Sequence, residues 1–580
     1  MEEPNLNSIL LDHLVALYGE TDGRAVFDRL RVLSHAPQRE EGAGLRGEVS
    51  EKDSILITYG DQLRERDTLP LQTLADFCDR HLAGLISSIH ILPFFPYSSD
   101  DGFSVIDYRA VDPALGSWED VAKIGRSFRL MFDAVINHVS AESAWFQAFL
   151  RDDPKYRNYF IVVEGDPDLS RVVRPRALPL LTRFTTPSGE KKVWTTFSED
   201  QIDLNYRQSE VLLEIVDLLL FYVSRGAEFV RLDAIAYLWK ETGTPCIHLP
   251  QTHRIIQLLR AVLDEVAPRV MLITETNVPH ADNISYFGDG ANEAQMVYNF
   301  ALPPLVLHTL RVGNVRALSR WAARLTLPSK RVTFFNFLAS HDGIGLNPVR
   351  GILSDAEIEA LVRQVIAHGG LVSHKHNLDG TQSPYELNIN YFDALSDPNG
   401  QPPGLPLQVD RFMSAQAIML SLVGVPGIYF HSLFGSRGWP EGVKETGHNR
   451  TINRRKFDRA EVERELADPT SLRHQVFTRT VQLLKARAAS PAFHPHGSQQ
   501  VINYGDSLFT LLRLSPDGDE RVLCVQNVSS QPQSMAFDFD EVSGLLPKDS
   551  GLADLITGQR FKRERRGALR LRPYQTLWLV

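Results

Sequence analysis

The chain has 580 residues, is 43% hydrophobic and 23% charged, and carries a formal net charge of -10. Its length implies one large domain with smaller ones attached rather than a single simple core. The mildly acidic balance speaks against a nucleic-acid partner, and no apolar run reaches membrane-spanning length. The three scattered cysteines (Cys78, Cys246 and Cys524) can form neither a disulfide framework nor a zinc site, so a reducing, cytoplasmic setting is expected.

Residues 1–50 read as a helical extension that ends in a Gly/Arg/Glu-rich linker near Arg39–Val49. Eight short apolar segments follow, expected as strands: "DSILITYGDQ" from Asp53, "SSIHILPFFP" from Ser87, "RLMFDAVINH" from Arg129, "AEFVRLDAIAY" from Ala227, "RVMLITET" from Arg269, "AQMVYNFALP" from Ala294, "RVTFFNFLASHD" from Arg331 and "VGVPGIYF" from Val423. Helical runs separate several of them, as in "SEVLLEIVDLLLFYVSRG", with Ser209 as the expected N-cap and Gly226 as the stop. Repeated strand–helix alternation predicts a (β/α)8 barrel over 51–138 and 209–490. An open doubly wound sheet is the alternative, weakened by the lack of a Gly-rich fingerprint after the first strand.

Two intervals are too long for simple crossovers. Residues 139–208, after the third strand, are expected to form an inserted domain, and 346–407, after the seventh, a second insertion that ends in "SDPNGQPPGLP". From 491 to 580 short alternating segments such as "SLFTLLRL" and "ERVLCVQNV" predict a C-terminal antiparallel β-domain.

In a parallel barrel the C-terminal ends of the strands build the site. Those ends carry Asp100, Asp101 and Phe103, then Asn137 and His138, then Arg231, Asp233 and Tyr237, then Glu275, and last His341 and Asp342. A lone histidine is most often a satisfied structural residue, and a lone aspartate after a strand is most often a helix cap. Charged groups at five strand ends of one barrel point instead to a functional cluster.

Several carboxylates around one cavity suit retaining glycoside chemistry, which needs an ionised nucleophile and a protonated acid/base. Arg231 and Asp233, two apart on a strand, share a face, so the guanidinium is expected to lower the nucleophile's pKa and hold it in place. Glu275 ends an apolar strand beside no obvious cation and suits the acid/base, while Asp342 suits stabilisation of a positive transition state. A metal reading of His138, Asp233, Glu275, His341 and Asp342 lacks a tight ligand motif, and Arg231 would sit beside the cation.

The segments "DAVINH", "VRLDAIAY", "ITET" and "ASHDGIG", in this order, resemble the α-amylase superfamily of glycoside-active barrels. Within it the chain is most similar to the sucrose phosphorylase branch, through "LPFFPYSSDDGFSVIDY", "LGSWEDV", "RPRALPLL", "FALPPLVLHTL" and "HNRTINR". The resemblance implies Asp233 as nucleophile, Glu275 as acid/base and Asp342 as transition-state stabiliser. It also implies that Asp100, His138, Arg231, His341 and Arg450 hold a glucosyl ring lined by Phe103 and Tyr237. The implied reaction forms a β-glucosyl-enzyme that phosphate releases as α-glucose 1-phosphate, with no metal or organic cofactor. The implied partners are an α-glucoside, inorganic phosphate and glucose 1-phosphate, and a homodimer is the candidate assembly.

The second insertion departs from the sucrose-specific pattern. Where sucrose phosphorylases carry a Tyr-Gln pair, this chain has Tyr385 and Glu386 in "HKHNLDGTQSPYELN". With "RPRALPLL" and "ITETNVPH", that loop is most similar to the glucosylglycerate phosphorylases, with glucosylglycerol, sucrose and sucrose 6-phosphate as alternative donors. A glycerate carboxylate would want a cation, for which Arg174, Lys375 and Arg437 are candidates. Glu386 could bind acceptor hydroxyls but would need a neutralising partner of its own. Loss of all these activities, leaving a silent scaffold, is the remaining reading, and the intact carboxylate trio opposes it.

Overall fold

The computed structural model describes residues 6–34, 48–377, 379–398, 404–538, 552–561 and 566–580. The linker expected near Arg39–Val49, except Glu48 and Val49, lies outside the described residues, as do Leu378, the stretch 399–403 within "SDPNGQPPGLP", and 539–551 and 562–565 of the expected C-terminal β-domain.

Eight strands form the centre: β1 (Ile55–Thr58), β2 (Ser88–Ile91), β3 (Arg129–Ala134), β4 (Ala227–Leu232), β5 (Met271–Thr274), β6 (Met296–Tyr298), β7 (Thr333–Phe337) and β8 (Val425–Tyr429). Each falls in one of the eight apolar segments. They close into a barrel in sequence order, every neighbouring pair parallel, with β8 returning to β1. Parallel strands bury both faces, which is why these segments are apolar almost throughout. The chain therefore forms a (β/α)8 barrel rather than an open sheet.

Helix Ser209–Ser224 precedes β4 and carries the apolar face that covers it, with Val211, Leu212, Val216 and Leu219 buried. The expected cap shifts by one: Gln208, extended, takes the N-cap position and Ser209 is the first helical residue. Gly226 follows the helix at φ +98, the left-handed conformation that glycine reaches without steric cost and that turns the chain into β4.

After β3 the chain forms the hairpin Leu181–Thr186 and Gly189–Trp194, and the strand Gln201–Asp203 pairs back onto His138–Ser140. After β7 a three-stranded sheet has the order Ile344–Gly345, Gln382–Asn388, Leu371–His376. Helix Asp355–Ala367, in the same interval, starts from a capping box between Ser354 and Glu357. Near the C-terminus the antiparallel strands Ser498–Asn503, Leu508–Leu514, Arg521–Asn527 and Thr576–Leu579 form one sheet.

Helices Leu6–Tyr18 and Glu20–Ser34 lie against the outside of the barrel. Tyr18 Oη donates to the Tyr206 carbonyl at 3.0 Å, and Arg29 pairs with Glu210 at the start of helix Ser209–Ser224. Among the described residues no helix is long and apolar enough to cross a membrane. Cys78, Cys246 and Cys524 are buried and unpaired.

Candidate active site

At the C-terminal end of the barrel an open cavity is lined by Asp100, Phe103, His138, Asp233, Tyr237, Glu275, His341, Asp342, Tyr385, Glu386 and Arg450, among others. Its floor is the stretch around β4. Arg231, fully buried on the strand, donates through Nη1 to Asp233 Oδ1 at 2.8 Å and also binds Asp133 at the end of β3. Strand alternation alone aims Arg231 and Asp233 the same way. Ala234 then adopts a left-handed conformation at φ +48, a strained state for a residue with a side chain. That turn carries its N–H to Glu275 Oε2 at 3.0 Å, joining the ends of β4 and β5.

The electrostatics of the two carboxylates differ from the sequence expectation. Arg231 does not bring Asp233 below the ordinary aspartate value: burial raises it, and the guanidinium only opposes that rise while Asp133 adds to it. Nor is Glu275 remote from a cation, since Arg231 Nη2 lies 4.0 Å from its Oε2. Burial nevertheless pushes Glu275 up to about 7, with Arg231 working against it and Asp233 and Asp342 reinforcing it. A carboxyl poised near neutrality can give and take a proton at working pH.

Asp342 follows β7 and behaves in the opposite way. Burial would raise it, but Arg450, His341, Arg231 and Arg454 outweigh burial and hold it below the ordinary range. Arg450 Nη1 is 2.5 Å from its Oδ1. His341 stacks flat on Phe103, with centroids 4.6 Å apart and rings 4° from parallel, and burial depresses its pKa to about 3, so the ring is neutral.

Asp100 sits in an unusual turn. Asp100 and Asp101 are both left-handed (φ 52 and 50) and Gly102 has φ +107, where an added Cβ would lie 2.6 Å from the Pro93 carbonyl. Arg454 braces the turn from below, 2.7 Å from Asp101 and 3.4 Å from Asp100. Burial raises Asp100, but Arg454, Arg176 and Arg450 prevail and hold it down. His138 Nε2 lies 2.9 Å from the Phe103 carbonyl and 3.2 Å from Gln201 Nε2, which ties the end of β3 to the inserted strand. Tyr237 meets Phe197 edge to face at 5.5 Å.

The interval 346–407 reaches the cavity through Tyr385 and Glu386 on Gln382–Asn388, which pairs with Ile344–Gly345 just before it so that Gly345 faces Glu386. Two glycines make this approach possible. A Cβ on Gly343 would stand 2.6 Å from Glu386 Cγ, and one on Gly345 would stand 2.5 Å from Asn277 Oδ1. Glu386 is buried and held by Arg450, which supplies the neutralising partner that its charge requires.

The tentative acceptor residues divide. Tyr385 and Glu386 line the cavity, whereas Arg174, Lys375 and Arg437 do not. Arg174 donates to the Leu178 carbonyl in its own loop. Arg437 is paired with Asp393 at 2.7 Å and lies over the Phe392 ring. Lys375, on Leu371–His376, is opposite Ser383. The alternate residue in "RPRALPLL", Arg176, lines the cavity instead, 3.7 Å from Asp100.

Sequence reasoning also passed over Asp133, Arg454, Asn277 and Gln201. Asp133 opens "DAVINH" and Arg454 closes "HNRTINR", so both stood inside quoted motifs, and their charge was the available signal. Asn277 stood inside the quoted "ITETNVPH" but carries no charge to single it out, and nothing local marked Gln201.

Residues 82–343 match the alpha-amylase catalytic-domain family. The chain is 52% identical to a glucosylglycerate phosphorylase of Allomeiothermus silvanus, covering 100% of this chain and 99% of that one. It is 49% identical to a glucosylglycerate phosphorylase of Spirochaeta thermophila, covering 97% of each. The crystal structure of sucrose 6F-phosphate phosphorylase from Thermoanaerobacter thermosaccharolyticum superposes with a TM-score of 0.72 at 25% identity, covering 84% of this chain and 96% of that one. On an end-to-end match of this kind and a closed barrel that gathers its carboxylates into one cavity, the chain belongs to the α-amylase superfamily, in the branch of retaining glycoside phosphorylases that holds the sucrose and glucosylglycerate phosphorylases.

Proposed function

We propose that the chain catalyses reversible phosphorolysis of 2-O-α-D-glucosyl-D-glycerate to α-D-glucose 1-phosphate and D-glycerate. The observation that carries the choice of donor is the full-length match to glucosylglycerate phosphorylases at 52% and 49% identity. In the first step Asp233 attacks the anomeric carbon while Glu275, protonated because burial raises it to about 7, gives its proton to the departing glycerate oxygen. Asp342, kept ionised by Arg450, faces the positive charge that builds on the sugar ring. In the second step a phosphate oxygen attacks the same carbon, the bond to Asp233 breaks, and Glu275 accepts the proton that phosphate gives up.

Glycerate and phosphate are both anions and succeed one another at one place, so the acceptor side needs a cation that is not already saturated. Of the two arginines among the described lining residues, Arg450 is engaged with Asp342 and Glu386. Arg176 has only the longer 3.7 Å approach to Asp100 and is the cation we assign to the acceptor anion. Buried, unpaired cysteines support a cytoplasmic setting.

The test is phosphate-dependent release of glucose 1-phosphate from glucosylglycerate, glucosylglycerol, sucrose and sucrose 6-phosphate. Highest kcat/KM on glucosylglycerate is expected. Turnover of sucrose alone would overturn the donor assignment, and equal release of glucose without phosphate would make the enzyme a hydrolase.

A further inference from the structure

Beneath the carboxylates runs a line of buried polar groups, His90, Asp133 and Arg231, that are not part of the cavity lining. His90, on β2, places Nε2 2.6 Å from Asp133 Oδ2, and both side chains are fully buried. The other oxygen of Asp133, Oδ1, binds Arg231 Nη1, the same nitrogen that donates to Asp233 Oδ1 at 2.8 Å. His90 Nδ1 has no hydrogen-bond partner among the described residues. The ring therefore has one polar connection, and a ring with a free Nδ1 and Nε2 against a carboxylate carries its proton on Nε2 as a donor. Strand register explains the placement: His90 pairs with Ile57 of β1 and Met131 of β3, so no other polar group flanks it within the sheet.

Asp133 and Asp233 compete for one guanidinium nitrogen. In a site with little water to screen it, the charge that Asp133 draws from Arg231 is charge withheld from Asp233. A hydrogen bond from His90 disperses the negative charge of Asp133 onto Oδ2 and fixes the carboxylate in rotation. The other ionisable groups that act on Asp133 or its partners include His138 after β3, His341 after β7, Tyr298 of β6, Tyr108, Tyr222 of helix Ser209–Ser224, and Glu275 and Asp342 across the cavity. None of them is hydrogen-bonded to Asp133 Oδ2 as His90 is.

We propose that His90 is a positioning residue for glucosyl transfer: by holding Asp133 it keeps Arg231 Nη1 shared with Asp233 and so sets how readily the nucleophile is ionised. This rests on the reading of Asp233 as nucleophile. It concerns the hydrogen bond that His90 donates to Asp133.

The test compares His90→Leu, His90→Asn and His90→Gln in the full chain. Gln places its amide where Nε2 stood, whereas Asn reaches only to Nδ1 and leaves Asp133 Oδ2 without a donor. Leu and Asn are expected to lower kcat about 10–100-fold with KM for the glucoside little changed. They are also expected to move the acid limb of the kcat/KM profile to higher pH, and Gln to restore both to within about threefold. If Leu does not fold, Asn against Gln carries the comparison. Equal loss of melting temperature in all variants with an unmoved acid limb would make the contact purely structural and overturn the proposal. Asp233→Ala is run alongside: if it keeps full turnover, the nucleophile reading fails, whatever the His90 variants do.

Discussion

Arg450 grips Glu386 with two nitrogens, Nε on Oε1 at 3.0 Å and Nη2 on Oε2 at 2.7 Å, while its Nη1 lies 2.5 Å from Asp342. One guanidinium thus joins the second insertion to a carboxylate at the reacting centre. Two-pronged Arg–carboxylate pairs are strong and directional, so the position of the insertion and the charge state of Asp342 are linked. Removing Arg450 strands two nearly buried carboxylates, which costs about 3–5 kcal/mol. Arg450→Ala is expected to melt earlier and lose most turnover. Glu386→Gln keeps the fold and frees part of Arg450, and kcat/KM for the glucoside should fall about 10–100-fold, measured by release of glucose 1-phosphate.

The carboxylate trio has a direct test. Asp233→Ala should lose about four orders of magnitude or more in turnover, and Glu275→Gln about two to four, both with unchanged circular dichroism. Comparable activity in both variants would restore the silent-scaffold reading.

The pH profile follows from two raised carboxyls with opposite duties. The nucleophile acts ionised, so activity is lost as pH falls through the pKa of Asp233, which burial sets above the ordinary aspartate value. The acid acts protonated, so activity is lost as pH rises through the pKa of Glu275, about 7. A bell in kcat/KM with its alkaline limb near neutrality is expected, and Glu275→Gln should abolish that limb in whatever activity remains. An alkaline limb that survives Glu275→Gln would assign it to another group.

Arg176 distinguishes an anionic acceptor from a neutral one. Arg176→Gln should raise KM for phosphate and for glycerate in the reverse reaction about 10–100-fold. A glycerol acceptor should be far less affected, so equal effects on both would remove Arg176 from anion recognition.

Gly343 tests the approach of the insertion. In Gly343→Ala the new Cβ would meet Glu386 Cγ and the Leu387 carbonyl, both at 2.6 Å. Overpacking of that kind costs about 1–3 kcal/mol. A lower melting temperature together with weakened glucoside turnover is expected, because the strand that gives way carries Glu386.

What could be read from the sequence was whatever depends on neighbours along the chain. The period of two on a strand set Arg231 and Asp233 on one face, mostly apolar runs marked all eight strands, and charges at the ends of those runs located Asp233, Glu275 and Asp342. Barrel closure decided the rest, because it brings together residues that no local periodicity relates. Asp133 shares Arg231 Nη1 with Asp233 from 98 positions away, and burial, with Asp133 adding to it, keeps Asp233 above its ordinary value despite Arg231. Glu386 obtains its counter-charge from Arg450, 64 positions away. Arg174 and Arg176 differ only in how an irregular loop turns, and loop direction has no sequence period, so only the folded chain could put one in the cavity and the other against the Leu178 carbonyl.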